Sequence, residues 1–235
     1  MNKITLCKQG IIGDKAVYKQ IAAAECASIL MFSDSHGDIE AVRWILKAFG
    51  SQCSVCFFAG DGADDIIKII QETAETSAGG GTDVMPPLII LARGNCDREW
   101  HPVMLPAVKA AEITLPLCQR LEIARQTILL THGHSFEVEK GLGLLVNAAA
   151  SSGCTIAVHG HTHVQAVDFI RRITVINGGS PQRPRGKSLG GFSVLSIDNP
   201  NNKADLTMYA LIRDGAGSFS ASAHSTVPIG LKKQS

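Results

Sequence analysis

Five short apolar runs in this 235-residue chain each end in a polar cluster, and that repetition constrains the fold more than any other feature. Ser28-Ile29-Leu30-Met31-Phe32 runs into Ser33-Asp34-Ser35-His36-Gly37. Val55-Cys56-Phe57-Phe58-Ala59 runs into Gly60-Asp61-Gly62, and Leu88-Ile89-Ile90-Leu91-Ala92 into Arg93-Gly94-Asn95-Cys96-Asp97. Later, residues 127–130 deliver Thr131-His132-Gly133-His134, and residues 155–158 deliver His159-Gly160-His161-Thr162-His163. Continuous apolar runs of this length, bounded by Gly and polar residues, read as buried strands. The clusters then lie at the C-terminal ends of strands, where open α/β sheets hold their ligands. Residues two apart leaving a strand can point the same way, so Asp34 and His36 can share one cation.

The intervening segments read as helices or turns. Asp38 is placed to cap a helix carrying Ile39, Val42, Ile45, Leu46 and Phe49 at helical spacing, with Gly50 as its C′ residue. A second helix is expected over 64–75. Residues 1–28 form an N-terminal extension, read as a short strand over 4–7 and a helix over 14–26 with Val17 and Ile21 on one face. Gly79-Gly80-Gly81 and Pro86-Pro87 mark a flexible loop within 76–87. After Val108 the rhythm shifts to strands over 113–117, 120–124 and 127–130, then a helix over 137–150. Strands over 155–158, 173–176, 192–197 and 206–212 follow. Residues 214–235, rich in Ser, Gly and Lys, read as a flexible tail. With no internal repeat and no linker, residues 29–213 are expected to form one α/β domain.

Composition narrows the function. A net charge of +1 argues against a general nucleic-acid binder. No apolar run approaches the ~18 residues of a membrane span, and the N-terminus turns polar at Lys8-Gln9, which argues against a signal-peptide core. Seven scattered cysteines, an odd number, suggest reduced thiols and a cytoplasmic protein. Cys53 and Cys56 lie in a strand with no second pair, so they read as core rather than as a redox or zinc motif. Gly186-Lys187-Ser188 imitates the end of a P-loop, but Pro181 stands where that motif needs Gly.

The clusters offer carboxylate, imidazole and amide donors without an obligatory thiolate. That mixture suits Mn²⁺, Fe²⁺, Zn²⁺ or Ni²⁺ better than Ca²⁺, and is too nitrogen-rich for Mg²⁺ alone. Seven such side chains exceed one tetrahedral site but suit two ions sharing a carboxylate. Two ions ~3.5–4 Å apart can clamp both oxygens of an in-line phosphoryl displacement and generate hydroxide at neutral pH.

Asp34-x-His36, Gly60-Asp61, Gly94-Asn95-Cys96-Asp97, Thr131-His132-Gly133-His134 and Gly160-His161-x-His163 occur in that order. The series resembles the calcineurin-like metallophosphoesterase superfamily, most closely its small single-domain prokaryotic phosphodiesterase branch, from about Ile29 to Ile197. The resemblance implies a four-layer α/β/β/α sandwich of two mixed sheets with the metal site at the C-terminal strand ends. It implies a dinuclear phosphodiesterase, with Mn²⁺ the leading ion, in which a metal-bridging hydroxide attacks the phosphoester. Asp34, His36 and His163 would bind one ion, Asn95, His132 and His161 the other, and Asp61 would bridge them. Catalytic roles fall on Asn95, His134, Cys96 and Asp97, with His134 on the substrate side and His159 simply ending its strand.

Many superfamily members have His where this chain has Cys96. An unperturbed thiol, with a pKa near ~8.5, is a poorer acid and brings no positive charge to a leaving alkoxide. The chain is therefore expected to favour diesters over monoesters. Arg183 and Arg185, in a loop over 177–185, are candidate grips for a substrate phosphate. A phosphomonoesterase acting on a nucleotide or small metabolite is the alternative. A non-catalytic scaffold, like the retromer subunit that shares this fold, ranks last because all seven ligand positions are filled. The expected partner is a small phosphoester, with no membrane and no strong nucleic-acid signal, and with a homodimer left open.

Overall fold

A computed structural model of the chain describes residues 6–77, 85–105 and 108–231. It opens with an antiparallel pair, β1 (Leu6–Lys8) and β2 (Ile11–Gly13), followed by helix α1 (Lys15–Ala23). Next come β3 (Cys26–Phe32), α2 (Ile39–Phe49), β4 (Val55–Phe58), α3 (Ala63–Ser77) and β5 (Leu88–Leu91). A hairpin, β6 (Trp100–Leu105) and β7 (Val108–Thr114), leads to β8 (Cys118–Ile123), β9 (Gln126–Thr131), α4 (Gly143–Ser151) and β10 (Ile156–His159). The chain ends through β11 (Ala166–Ile170), β12 (Ile173–Asn177), β13 (Gly191–Asp198), β14 (Lys203–Arg213) and β15 (Phe219–Ile229).

Two mixed sheets and a small hairpin sheet result. The first runs β1-β2-β5-β4-β3-β13-β14-β15 and the second β11-β12-β10-β9-β8. Strands β3, β4 and β5 are parallel neighbours in the first, as are β9, β10 and β12 in the second. Their apolar runs are continuous because both faces are covered. Alternate residues Ile29, Met31, Val55, Phe57, Leu88 and Ile90 share one buried cluster with Leu121, Ile128, Leu130, Ile156 and Val158 of the second sheet. The intervening residues Leu30, Phe32, Cys56, Phe58 and Leu91 pack instead with Val42 and Ile45 of α2 and Ile66 and Ile70 of α3. Leu129, Ala157 and Val175 meet Leu145, Val146 and Ala149 of α4. Each fully buried Leu, Ile or Phe contributes about 1.5–3 kcal/mol, so strand period and helix period lock the two sheets and their helices together.

Several expectations change. Within the tail expected over 214–235, Phe219–Ile229 is a strand: β15 pairs with β14 over ten register positions from Ala204↔Ile229 to Arg213↔Phe219. Its Ser- and Ala-rich sequence lacks an apolar signal because an edge strand needs little more than its neighbour's backbone. The helix expected over 137–150 starts at Gly143, since Glu137 (φ 50°) and Gly141 (φ 143°) hold non-helical backbone before it. Helix α1 ends at Ala23 rather than Cys26, which already belongs to β3; Asp14 caps it by accepting from Ala16 N–H. Asp38 caps α2 through Ala41 N–H, but Gly50 is right-handed (φ −60°) and continues into a 3₁₀ turn. Strands β2, β6 and β11 were not anticipated. Residues 4–5 of the expected first strand, 78–84 of the glycine-rich loop and 232–235 of the expected tail lie outside the described residues. Among the described residues no helix is long and apolar enough to cross a membrane.

Candidate metal centre

The polar clusters follow parallel strands in both sheets. Asp34 and His36 leave β3, Asp61 leaves β4 and Asn95 leaves β5; His132 leaves β9, and His161 and His163 leave β10. The two sets meet where the sheets face each other. His163 Nε2 lies 3.2 Å from Asp34 Oδ1 and 3.2 Å from His36 Nε2. His36 Nε2 is 4.0 Å from Asp61 Oδ2. His132 Nε2 lies 3.4 Å from Asp61 Oδ2, 3.1 Å from Asn95 Oδ1 and 3.3 Å from His161 Nδ1. All seven residues expected as ligands therefore converge, with Asp61 between the two groups.

The backbone is bent to achieve this. Asp34, His36, Asp61, His161 and His163 all have positive φ, between 43° and 66°. Left-handed backbone costs non-glycine residues about 1–3 kcal/mol each and persists where surrounding structure enforces it. Asp and His tolerate it better than most residues. Close approach imposes a second demand: a Cβ on Gly94 would overlap Asp61, and one on Gly160 would overlap Ser33 and Asp34.

The ring orientations leave bare lone pairs facing one another. His132 Nδ1 lies 2.6 Å from the Ala59 carbonyl and His163 Nδ1 lies 2.7 Å from the Arg183 carbonyl. A carbonyl only accepts, so each Nδ1 carries a hydrogen, and in the neutral ring each Nε2 is an acceptor. Asp34 is fully buried; its Oδ2 accepts from Ser33 Oγ–H and from His161 N–H, while its Oδ1 receives no hydrogen bond among the described residues. Around that orphaned oxygen stand His163 Nε2, His132 Nε2 at 3.9 Å and His36 Nε2 at 4.0 Å. A divalent cation fits such a cluster of unpaired acceptors, since a buried carboxylate oxygen without a partner is otherwise expensive.

The electrostatics agree. Burial, the largest influence on Asp61, opposes its charge, yet hydrogen bonding and charge from His132 and the Cys96 N–H hold it well below the carboxylate range. Burial likewise opposes charge on His132, but Asp61 and Asp34 outweigh it and raise its pKa. The pull these carboxylates exert on a proton is a pull on any cation. Burial lowers His36, His134 and His161 below the ordinary 6.5. The Cys96 thiol is pushed up to about 11, first by burial and then by Asp61, Asp97 and Asp34. His159 does end its strand; burial takes it down to about 4.

The Asp97 carboxylate, expected among the catalytic groups, serves the framework of the site. Its Oδ1 accepts from Gly62 N–H (2.9 Å) and Ala63 N–H (3.0 Å), and its Oδ2 from Asp61 N–H and Gly94 N–H (both 2.8 Å). It thus caps α3 and ties the β4 loop to the β5 loop. His134 stands at the edge of the cluster, its ring 5.4 Å from that of His132, with a buried Nδ1 that has no partner among the described residues. Cys96 Sγ lies within 4.8 Å of ligand atoms of His36 and Asp61, and accepts from Asn95 Nδ2–H at 3.3 Å. Arg183 and Arg185 are exposed. Arg183 adds positive potential at His36, and Arg185 N–H binds the His163 carbonyl at 3.1 Å. Sequence reasoning missed Ser33, which engages Asp34, and Glu139, whose Oε2 lies 3.5 Å from His161 Nε2.

A mixed α/β fold thus gathers, from strand ends, Asp and His groups that could hold a metal ion. Residues 28–200 match the calcineurin-like phosphoesterase superfamily domain, and the chain belongs to that superfamily. It is 29% identical over 179 residues to phosphodiesterase YfcE of Escherichia coli K12, covering 72% of this chain and 88% of YfcE. A crystal structure from Streptococcus pneumoniae TIGR4, described as a predicted phosphoesterase, superposes with a TM-score of 0.57 at 22% identity, covering 85% of this chain and 98% of that one. Vacuolar protein sorting 29 from Cryptosporidium parvum superposes with a TM-score of 0.61 at 17% identity, covering 87% and 98%, a likeness of fold alone.

Proposed function

We propose that the chain is a dinuclear metal-dependent phosphodiesterase acting on a small phosphoester. The observation that carries this reading is the orphaned Asp34 Oδ1 among three imidazole nitrogens. Asp34, His36 and His163 would hold one ion, Asn95, His132 and His161 the other, and Asp61 would be shared. Mn²⁺ leads among the ions the donors suit, with Fe²⁺, Zn²⁺ and Ni²⁺ behind it. When bound, two such ions supply Lewis-acid activation of the ester and of water.

The chain's own residues do the remaining work. Ser33 Oγ–H and His161 N–H occupy Asp34 Oδ2 and leave Oδ1 for the cation. The Ala59 and Arg183 carbonyls keep His132 and His163 in the ligating tautomer. Arg183 brings positive charge for a phosphate beside His36. Cys96, with its thiol near 11, offers weak acid help to a leaving alkoxide, which favours diesters with good leaving groups. The three apolar clusters support the four-layer α/β/β/α arrangement. Six free cysteines among the described side chains support a reducing, cytoplasmic setting.

The test is kcat/KM for an aryl phosphodiester and the matching monoester at equal Mn²⁺ loading, with metal content by elemental analysis. Two ions per chain and preference for the diester are expected. Preference for the monoester would promote the phosphatase reading, and full metal loading without turnover of either would promote the scaffold.

A further inference from the structure

The last strand contains an irregularity that reaches the metal centre. β14 and β15 pair regularly from Ala204↔Ile229 to Met208↔Ser225 and resume at Tyr209↔Ala223, so His224 is an extra residue in a β-bulge. Bulges re-aim side chains. His224 Nε2 lies 2.8 Å from Gln165 Oε1. The other end of that amide settles its orientation. Gln165 Nε2 faces the Phe192 carbonyl at 2.8 Å, Ser193 Oγ at 3.0 Å and the Gly178 carbonyl at 3.3 Å. Carbonyls only accept, so the amide nitrogen must face them and the oxygen must face His224. His224 therefore donates its Nε2–H, and it does so whether the ring is neutral or protonated.

Gln165 lies two residues beyond His163 and joins three segments: its own loop after β10, the start of loop 177–185 at Gly178, and β13 of the other sheet. The first carries His163, the second touches the metal centre, and β13 pairs with β3, the strand that leads to Asp34. The Gly179 carbonyl accepts from Ser33 N–H at 2.9 Å, and Ser33 Oγ–H donates to Asp34 Oδ2. Loop 177–185 returns the Arg183 carbonyl to His163 Nδ1 at 2.7 Å. Asp34 and His163 come from different sheets, so their 3.2 Å approach depends on cross-links of this kind. The strand that carries His224 lies beyond the family-matched residues 28–200.

We infer that His224 is a positioning residue for the metal centre: held in the β15 bulge, it orients the Gln165 amide, which sets the approach of His163 to Asp34. The inference rests on the metal centre proposed above. A His224 that only steadies an exposed edge strand would have no effect specific to metal.

The experiment compares the full-length chain with His224→Ala and His224→Gln, the latter keeping a terminal N–H donor. Mn²⁺ affinity is read by equilibrium dialysis with elemental analysis, alongside melting of the metal-free proteins. Removing a partner that orients a ligand typically weakens binding 10–100-fold, so His224→Ala is expected to lose about tenfold and His224→Gln to restore parental affinity. Unchanged affinity in His224→Ala overturns the inference. Equal weakening in both variants does so too, since it marks a general loosening of β15. If the parent chain binds no Mn²⁺, the metal-centre reading fails and positioning is decided by amide hydrogen exchange over 177–185. Faster exchange in His224→Ala but not in His224→Gln supports it; no change in either overturns it.

Discussion

Replacing Asp97 by Asn removes one acceptor oxygen while leaving size and shape nearly intact. In the folded chain the two carboxylate oxygens receive four backbone N–H groups, from Asp61, Gly62, Ala63 and Gly94. An amide keeps one acceptor oxygen and turns its NH₂ toward the other two donors. Two charge-assisted hydrogen bonds are lost, each with a net contribution of about 1.5–3 kcal/mol, so the expected loss is about 3–6 kcal/mol. That is a large fraction of the about 5–15 kcal/mol available to a typical domain. Urea unfolding of the metal-free proteins is the assay, because it separates the framework from any metal. With an m-value of about 2 kcal/mol/M, the midpoint should fall by about 1.5–3 M. A shift below about 1 kcal/mol with activity abolished would refute this reasoning and return Asp97 to a catalytic role.

Asp61→Ala should reduce Mn²⁺ loading and activity more than any other single ligand change, because it removes the shared carboxylate; elemental analysis finding two ions in this variant would contradict the bridging assignment. Cys96→His introduces an imidazole of the kind typically worth ~10²–10⁴-fold in proton transfer, and should raise monoester turnover relative to diester turnover at unchanged Mn²⁺ content. Equal ratios in parent and variant would show that position 96 does not assist the leaving group. Burial holds the Cys53 thiol at about 11 against an ordinary 9.0, so the folded state binds its proton more tightly than the unfolded chain. The stability due to that proton is complete below pH 9 and is lost as pH rises through 11; urea midpoints across that interval should fall less steeply for Cys53→Ala than for the parent.

The apolar runs of β3, β4, β5, β9 and β10 were legible because a strand buried on both faces must be apolar at every position. The residues proposed as ligands were legible for the complementary reason: Asp, Asn and His directly after such strands have no packing role to explain them. The capping of α2 by Asp38 was equally local. Asp97, in contrast, shares the ligand motif in sequence, and only the fold shows its carboxylate saturated by backbone donors from two loops.

What the sequence determined by itself is thus the set of buried strands and the chemistry at their ends, since both are written in adjacent residues. Which histidine faces which carboxylate was decided by the packing of two sheets that meet only in three dimensions. The same holds for β15, whose Ser- and Ala-rich residues become a strand because β14 presents an unpaired edge. Ser33, Gln165 and His224 act across separations of up to 146 residues, as between Ser33 and Gly179. Hydrogen bonds at such range leave no periodicity in a chain, and tertiary structure alone brings their donors and acceptors together.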